Sequence, residues 1–160
     1  MDTYDIRPPE ERDLAALDMA LAALSRELGD PHRAGTRELG RALFGTPPST
    51  WALVADGPDG VAGVALYAPI FSTVRGGAGI FVSDIWVDPE ARGKGLGVAL
   101  LHSAADSAAT LWDAGFMRLS VYDDNAAARD FYDRLRFQPI GRETMMMLTG
   151  QEFQHLRRMT

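Results

Sequence analysis

The chain has 160 residues, of which 46% are hydrophobic, and its formal net charge is −6 at pH 7, with a pI near 5.0. This length and hydrophobic content suffice for one buried core, so we predict a single domain over residues 1–160. The acidic balance disfavours a nucleic-acid surface, because phosphate backbones are met by clustered Lys and Arg. Without cysteine, the chain has no disulfide, thiolate metal site or thiol nucleophile.

The first segment, "MDTYDIRPPEERD", is charged, and no apolar run in the sequence approaches the ~20 residues of a membrane-spanning helix. We therefore expect neither a signal peptide nor a membrane anchor. The absence of cysteine fits a reducing compartment, so we expect a cytoplasmic location.

The first half of the chain reads as one strand, two helices and three further strands. Tyr4–Arg7 is typical of a short strand, and leucines at spacings of three and four then predict an amphipathic helix ending at Gly29. A weaker helix pattern covers Thr36–Phe44. Apolar runs separated by turn residues predict a meander of strands, at Trp51–Asp56, Gly63–Phe71 and Ile80–Val87.

The second half alternates helix and strand patterns. Apolar residues at helical spacing run from Val98 to Trp112, and Met117–Tyr122 is typical of a strand. A helix pattern covers Asn125–Leu135. Two more strands are predicted at Phe137–Ile140 and Glu143–Thr149, followed by a short helix over "QEFQHLRRM".

A basic, glycine-rich segment joins the strand Ile80–Val87 to the next helix. Gly93, Gly95 and Gly97 alternate with Arg92 and Lys94, a pattern that exposes backbone amides to an anion at a helix N-terminus. A Walker P-loop needs Gly-Lys followed by a hydroxyl, and a dinucleotide fingerprint needs glycines at other spacings directly after the strand. A merely flexible link is the remaining alternative, and the helix that begins immediately afterwards favours the anion-binding loop.

Arg92, Gly95 and Gly97 match the coenzyme-loop pattern of the GNAT superfamily of N-acetyltransferases, which this sequence resembles. The segments "VDPEARGKGLG" and "NAAARDFYDRLRF" look like the family's two most recognisable motifs, in its order and at its usual separation. The resemblance covers nearly the whole chain. It implies an α/β (α+β) fold, with a mixed, mostly antiparallel central sheet of six to seven strands flanked by about four helices.

The resemblance also implies that acetyl-CoA is the co-substrate and that the acetyl group passes directly to a primary amine. Loop amides would hold the coenzyme phosphates, and the edge of the preceding strand would pair with the pantetheine arm. The predicted coenzyme-binding residues are Ile85, Trp86, Val87, Arg92, Gly93, Lys94, Gly95, Leu96, Gly97, Val98 and Asn125. Capping its own helix is the alternative role for Asn125.

Two residues are predicted to carry the chemistry. Tyr132 matches the family's tyrosine that protonates the departing thiolate, although an aromatic residue on a helix is more often part of a core. Asp84 interrupts an apolar strand, so it is either a base for the incoming ammonium or a paired structural acid. Ser83 stands where polyamine-type relatives carry a glutamate. His32, His102 and His155 lack ligand spacing, so we expect surface or packing histidines and no metal.

The family branch that the sequence resembles most closely acetylates diamines and polyamines, so we expect a small, cationic amine substrate. Glu27 and Asp30, at the end of the first helix, and Ser83 are the predicted substrate-binding residues. Amino acids, aminoglycosides and protein or peptide N-termini remain open as acceptors. A catalytically silent acyl-CoA sensor or scaffold is the non-enzymatic alternative. The resemblance and the apolar segment "ETMMMLT" predict a homodimer, with no nucleic-acid or membrane partner.

Overall fold

The computed structural model describes residues 4–159, and these residues divide into two compact units. The larger unit falls within Met1–Ser120 and the smaller one within Val121–Thr160. The larger unit contains five strands, β1 Asp5–Arg7, β2 Trp51–Gly57, β3 Gly60–Ser72, β4 Gly77–Val87 and β5 Met117–Leu119, and three α-helices, α1 Leu14–Leu28, α2 Thr36–Phe44 and α3 Leu96–Trp112.

The sheet of the larger unit has the strand order β1-β2-β3-β4-β5. The pairs β1–β2, β2–β3 and β3–β4 are antiparallel, and β5 runs parallel to β4. Two parallel strands need a long crossover connection, usually a helix, and α3 supplies that crossover between β4 and β5. The mixed, mostly antiparallel sheet and its flanking helices confirm the predicted fold class.

Helices cover both faces of this sheet. Beneath α1 and α2 lies a core of small and branched apolar side chains, namely Leu17, Ala20, Leu21, Leu39, Ala52, Val54, Val64, Leu66 and Trp86. On the opposite face, Trp112 of α3 makes edge-to-face ring contacts with Trp51 and Tyr67, at centroid distances of 4.8 and 6.4 Å. Each strand therefore has an α1 face and an α3 face, with residues alternating between them.

An ion-pair network holds the short first strand. Arg7 donates hydrogen bonds to Asp13 at 2.7 Å and to Asp56 at 2.8 Å, which joins β1 to β2 and to the 3₁₀ turn before α1. The guanidinium group lowers the pKa of the buried Asp13 carboxyl to about 2. β1 has only three residues, so these side-chain hydrogen bonds supplement the few backbone hydrogen bonds between β1 and β2.

The smaller unit contains α4 Ala126–Arg134 and α5 Gly150–Arg158. The predicted strands over Phe137–Ile140 and Glu143–Thr149 are absent, and their residues are mostly exposed. A strand needs a hydrogen-bonding partner, and the described part of this chain offers none to these segments. The prediction of six to seven strands is therefore wrong in number, because the sheet has five strands among residues 4–159. The α-helices of these residues number five rather than about four, because the tail helix forms.

Within residues 4–159 no helix is both long enough and apolar enough to cross a membrane. The division into two units neither supports nor excludes the single domain predicted over residues 1–160, which stays a prediction.

Candidate active site

The glycine loop lies between β4 and α3 and has an unusual backbone. Asp88 begins a 3₁₀ turn by accepting a hydrogen bond from the amide of Glu90 at 2.8 Å. Gly93 and Gly95 then adopt positive φ angles of 74° and 84°, which L-residues with side chains rarely adopt. A Cβ atom at either glycine would meet no atom within 4 Å, so the requirement for glycine is conformational and the space beside the loop is open.

Gly95 is the N-cap of α3, and its carbonyl accepts the amide of Ala99 at 3.0 Å. The amides of Leu96, Gly97 and Val98 are thereby left without acceptors within the helix. The buried side chain of Leu96 anchors this first turn in the core. Free amides and the positive end of the helix dipole, about half an elementary charge, are together able to bind an anion.

Arg92 is engaged by an acid from the far end of α1. Its Nη2 donates to both carboxylate oxygens of Glu27, at 2.7 and 2.9 Å, and its Nε donates to the Val87 carbonyl at 2.9 Å. The indole Nε1 of Trp86 also donates to Glu27, at 3.1 Å. The structure therefore brings together three predicted site residues, Glu27, Trp86 and Arg92. Both oxygens of Glu27 have partners within the protein, and its predicted substrate-binding role stays a prediction.

β4 changes its pairing halfway along its length. β5 pairs only with Ile80–Val82 of β4, so among residues 4–159 no strand pairs with the outer edge of β4 from residue 83 to residue 87. The predicted pantetheine-binding residues Ile85, Trp86 and Val87 lie in this half. An unpaired edge presents N–H and C=O groups that an extended peptide-like ligand can bind.

Ser83 is the extra residue of a β-bulge. The register passes from Tyr67 opposite Val82 to Leu66 opposite Asp84, so Ser83 has no opposite residue. Its hydroxyl makes a long contact of 3.5 Å with the Leu66 carbonyl. Asp84 is half-buried, and no ion pair to it occurs within the described residues. Because directly opposite residues share a face, Asp84 lies on the α1 face, like Leu66.

The two remaining predicted residues belong to the smaller unit and are described within it. Asn125 caps α4, its side-chain oxygen accepting the amide of Ala128 at 3.1 Å, which confirms the capping alternative. Tyr132 is buried, and its ring contacts Phe131 and Phe137 at centroid distances of 5.0 and 5.4 Å. Burial raises the pKa of the Tyr132 phenol above its ordinary value of 10.0. The group thus stays protonated at neutral pH.

His32 has partners that the sequence pattern did not predict. Its Nε2 lies 2.7 Å from an oxygen of Asp18, and its Nδ1 lies 3.4 Å from the hydroxyl of Ser25. Asp18 and Ser25 are seven residues apart on α1, a spacing that puts them on one helix face. This spacing is the sequence signal that could have indicated a shared partner. The cluster fastens the segment containing Asp30 to α1. Residues 4–159 contain no group of three or more His, Asp or Glu side chains placed to hold a metal ion.

The model of the acetyltransferase (GNAT) family matches residues 17–137. Thialysine N-epsilon-acetyltransferase of Bos taurus is 32% identical over 147 residues, covering 84% of each chain, and that of Sus scrofa is 32% identical over 140 residues, covering 81% of each. An integron cassette protein from the mobile metagenome of V. cholerae has a TM-score of 0.75 at 21% identity, with 98% of each chain covered. The ribosomal-protein-alanine N-acetyltransferase of Brucella melitensis biovar Abortus 2308 has a TM-score of 0.73 at 21% identity, covering 92% of this chain and 100% of that one. These two structures share the fold.

The contact between Glu27 and Arg92 is expected to give a measurable coupling energy. In a double-mutant cycle with Glu27→Gln and Arg92→Gln, we expect about 0.3–1 kcal/mol of coupling in the free energy of unfolding, because the pair is about half exposed. Chemical denaturation of the four proteins measures it. The more exposed pair Glu10–Arg12 is the control and should show less coupling. Additive effects at Glu27 and Arg92 would contradict the assignment.

Proposed function

Because the chain belongs to the acetyltransferase (GNAT) family and is an N-acetyltransferase, we propose that it transfers an acetyl group from acetyl-CoA to a primary amine of a small, cationic molecule. The observation that carries the proposal is the glycine loop with its free amides at the start of α3. The loop supplies the anion site that a pyrophosphate requires, next to a strand edge that fits a peptide-like arm.

The pyrophosphate is assigned to the amides around Gly93, Gly95 and Gly97, with those of Leu96 and Val98 completing the first turn. The backbone supplies most of the attraction, because Arg92 is neutralised by Glu27 in the structure. Lys94 is exposed on the same loop and adds charge at its rim. Asn125 is assigned to the coenzyme by the family resemblance, in addition to its capping bond.

The pantetheine arm is assigned to the free edge of β4 at Ile85, Trp86 and Val87. Two amides of the arm can hydrogen-bond to such an edge as an added strand would. This assignment directs the thioester toward the point where β5 leaves β4, after Val82. Amides of a strand held by β3 along its other edge are rigid, so little is lost in ordering them.

The proposed reaction is one direct acyl transfer. The amine nitrogen forms a bond to the thioester carbonyl carbon, and the bond from that carbon to sulfur breaks. Asp84 accepts the proton that the ammonium must lose, directly or through a water, and Tyr132 donates a proton to the departing thiolate. No protein thiol exists to form an acyl-enzyme, which favours the direct route.

The acceptor is assigned to the α1 face of β4, where Asp84 lies. The relatives named thialysine N-epsilon-acetyltransferase support an amine at the end of a side chain. Asp30 and Ser83 are the other proposed substrate-binding residues. The contacts of Glu27 favour a positioning role, in which its carboxylate orients Arg92 and Trp86.

A homodimer is proposed on the basis of the exposed C-terminal segment. Met145, Met146 and Met147 are 79, 89 and 85% exposed, and α5 has no buried residue. Strand pairing with a second copy would give these residues a partner and cover them.

A panel of acceptors tests the proposed function. We expect release of free coenzyme A from acetyl-CoA with primary amines such as diamines and diamino acids, detected with a thiol reagent. Short peptides should react more slowly, because the proposed acceptor is a small cationic molecule. Tight acetyl-CoA binding without turnover of any amine would overturn the proposal.

Substitutions at Gly95 test the anion loop. Gly95→Glu and Gly95→Ala carry the same backbone strain at positive φ, and only the former adds a carboxylate. We expect Gly95→Glu to bind acetyl-CoA at least about tenfold more weakly than Gly95→Ala, because the carboxylate repels the phosphates. Calorimetry measures both affinities, and similar melting temperatures would show that the comparison is fair. Equal affinities would show that the coenzyme phosphates do not bind at this loop.

Tyr132→Phe tests the proton donor. We expect at least about a tenfold loss of kcat with little change in acetyl-CoA affinity, because only the acid is lost. Since burial raises the pKa of Tyr132, the wild-type kcat should fall only above about pH 10, and the variant should lack this limb. Tyr122→Phe, at an exposed position, is the control. Unchanged turnover in Tyr132→Phe would show that another group donates the proton to the departing thiolate.

Met146→Lys tests the homodimer. We expect light scattering of the wild type at micromolar concentration to give twice the mass of the 17.4 kDa chain, and the variant to shift toward the monomer. A charge in place of a covered methionine disfavours association. Thr73→Lys, an exposed substitution on the hairpin between β3 and β4, is the control. A monomeric wild type would reject the dimer.

A further inference from the structure

A second cationic cluster, outside the proposed coenzyme loop, lies at the start of β4 and β5. The guanidinium carbons of Arg75 and Arg118 are 5.4 and 5.6 Å from the centroid of the Phe116 ring. Phe116 covers Gly79 so closely that a Cβ atom there would lie 2.6 Å from the ring. Two like charges are therefore held against one aromatic ring that is itself fixed against the sheet.

The two arginines of this cluster lack ionic partners in the described part of the chain. Within residues 4–159 neither Arg75 nor Arg118 forms an ion pair, and Nε of Arg118 is a buried donor without a hydrogen-bond partner. Nearly every buried donor in a native protein is paired, so an orphan of this kind calls for a ligand, an ion or a water. A guanidinium group presents paired N–H donors that fit both oxygens of a carboxylate.

The register places Arg118 on the same face of the sheet as Asp84. Arg118 is level with Phe81 of β4, and Phe81 is opposite Ala68 of β3. Ala68 and Leu66 are two residues apart and share a face, and Leu66 is opposite Asp84. Phe81, Arg118 and Asp84 therefore all belong to the α1 face.

The spacing along β4 sets the length of a molecule that could reach both groups. Phe81 and Asp84 are three residues apart, so they are separated by roughly 10 Å or less at the rise of an extended strand. Six single bonds separate the carboxyl carbon of an α,ω-diamino acid such as lysine from its terminal nitrogen, roughly 7 Å when extended. The Arg118 guanidinium packs on Phe116, which covers Gly79. This glycine lies on the side of Phe81 away from Asp84, so the long arginine side chain has to turn along the strand to cover the remainder.

We propose that Arg118, assisted by Arg75, binds a carboxylate of the amine substrate, so that the acceptor is an α,ω-diamino acid whose distal amine is acetylated beside Asp84. This inference rests on the proposed function, since it takes the α1 face of β4 as the acceptor side. It narrows the proposed class of substrates from small cationic amines in general to those that carry an anionic group at the end opposite the reacting amine.

The competing explanation is that Arg118 only packs on Phe116, as exposed cations often do on aromatic rings. The two explanations differ in what a change of substrate does. A packing residue affects stability and treats all amines alike, whereas a carboxylate-binding residue discriminates between acceptors that differ only in that group.

The test compares lysine, lysinamide and pentane-1,5-diamine as acceptors, with coenzyme A release as the rate and mass spectrometry to identify the acetylated nitrogen. We expect wild-type kcat/KM for lysine to exceed that for each of the other two by at least about tenfold, because the site's donors are left unpaired without the carboxylate. Lysinamide has the higher positive charge, so a site that selects only for charge would prefer it.

In Arg118→Gln, we expect the KM for lysine to rise at least about tenfold, with kcat within about threefold and the KM for lysinamide within about twofold. Arg118→Lys keeps the positive charge without the paired donors, so its KM for lysine should lie between those of the wild type and Arg118→Gln. Arg75→Gln, in an exposed turn, should raise the KM for lysine by about two- to fivefold and carries the test if Arg118→Gln fails to fold. Arg12→Gln is the control for charge, because Arg12 is exposed and lies beside β1, at the opposite edge of the sheet.

A readout without turnover keeps the inference separate from the proposed function. With coenzyme A present, calorimetry should show Nε-acetyl-lysine binding to the wild type at least about tenfold more tightly than to Arg118→Gln. Equal binding to both proteins, or turnover without preference for the carboxylate, would overturn the carboxylate site while leaving the acetyltransferase proposal intact. Turnover of no amine would overturn the acetyltransferase proposal instead, and the binding comparison would still decide whether Arg118 holds a carboxylate.

Discussion

The β-bulge at Ser83 is the constraint on which the arrangement of β4 depends. Side chains alternate strictly along a regular strand, so residues 81 and 84 would lie on opposite faces without an extra residue between them. The bulge puts Phe81 and Asp84 on the same face while β3 remains paired on both sides of it. The pairing with β5 ends at Val82, next to the bulge, and no strand among the described residues pairs with the outer edge of β4 from there to Val87. A single inserted residue thus separates the paired half of the strand from the half that leads into the glycine loop.

The protein carries a net charge of −6, yet its proposed partner is a polyanion. In the proposal, the backbone rather than net charge attracts this partner. Arg92 is already neutralised by Glu27, so the loop attracts anions chiefly through free amides and the dipole of α3. Amide dipoles fixed by Gly93 and Gly95 attract phosphate without adding an isolated buried charge, whose desolvation would be costly. The acidic surface elsewhere disfavours other polyanions such as nucleic acid, so the backbone site gives local selectivity that net charge cannot give.

Local features of this fold could be predicted from the sequence, and non-local ones could not. The leucine stripe of α1, the capping residue of α4 and the glycine-rich loop between β4 and α3 each depend on neighbouring residues, and all three leave a readable pattern. The strands over Phe137–Ile140 and Glu143–Thr149 were predicted from β-propensity, which reports a preference for a pleated surface and says nothing about a partner. The contact between Glu27 and Arg92 joins residues 65 positions apart, and no spacing in the sequence indicates it. The cluster of Arg75, Phe116 and Arg118 depends in the same way on how β5 returns beside β4.

These observations make β4 the strand that separates the two substrates in the proposed reaction. The coenzyme arm is assigned to its free edge and the amine to its α1 face, so both reach the same few residues without competing for the same atoms. In that proposal Asp84 attracts an ammonium group and accepts a proton from it, and both roles depend on how much of the carboxylate faces water. Water would screen the attraction if the carboxylate were fully exposed, whereas complete burial would deny the amine access to it. Asp84 lies between these extremes, half-buried, opposite Leu66 and beside the exposed bulge residue Ser83.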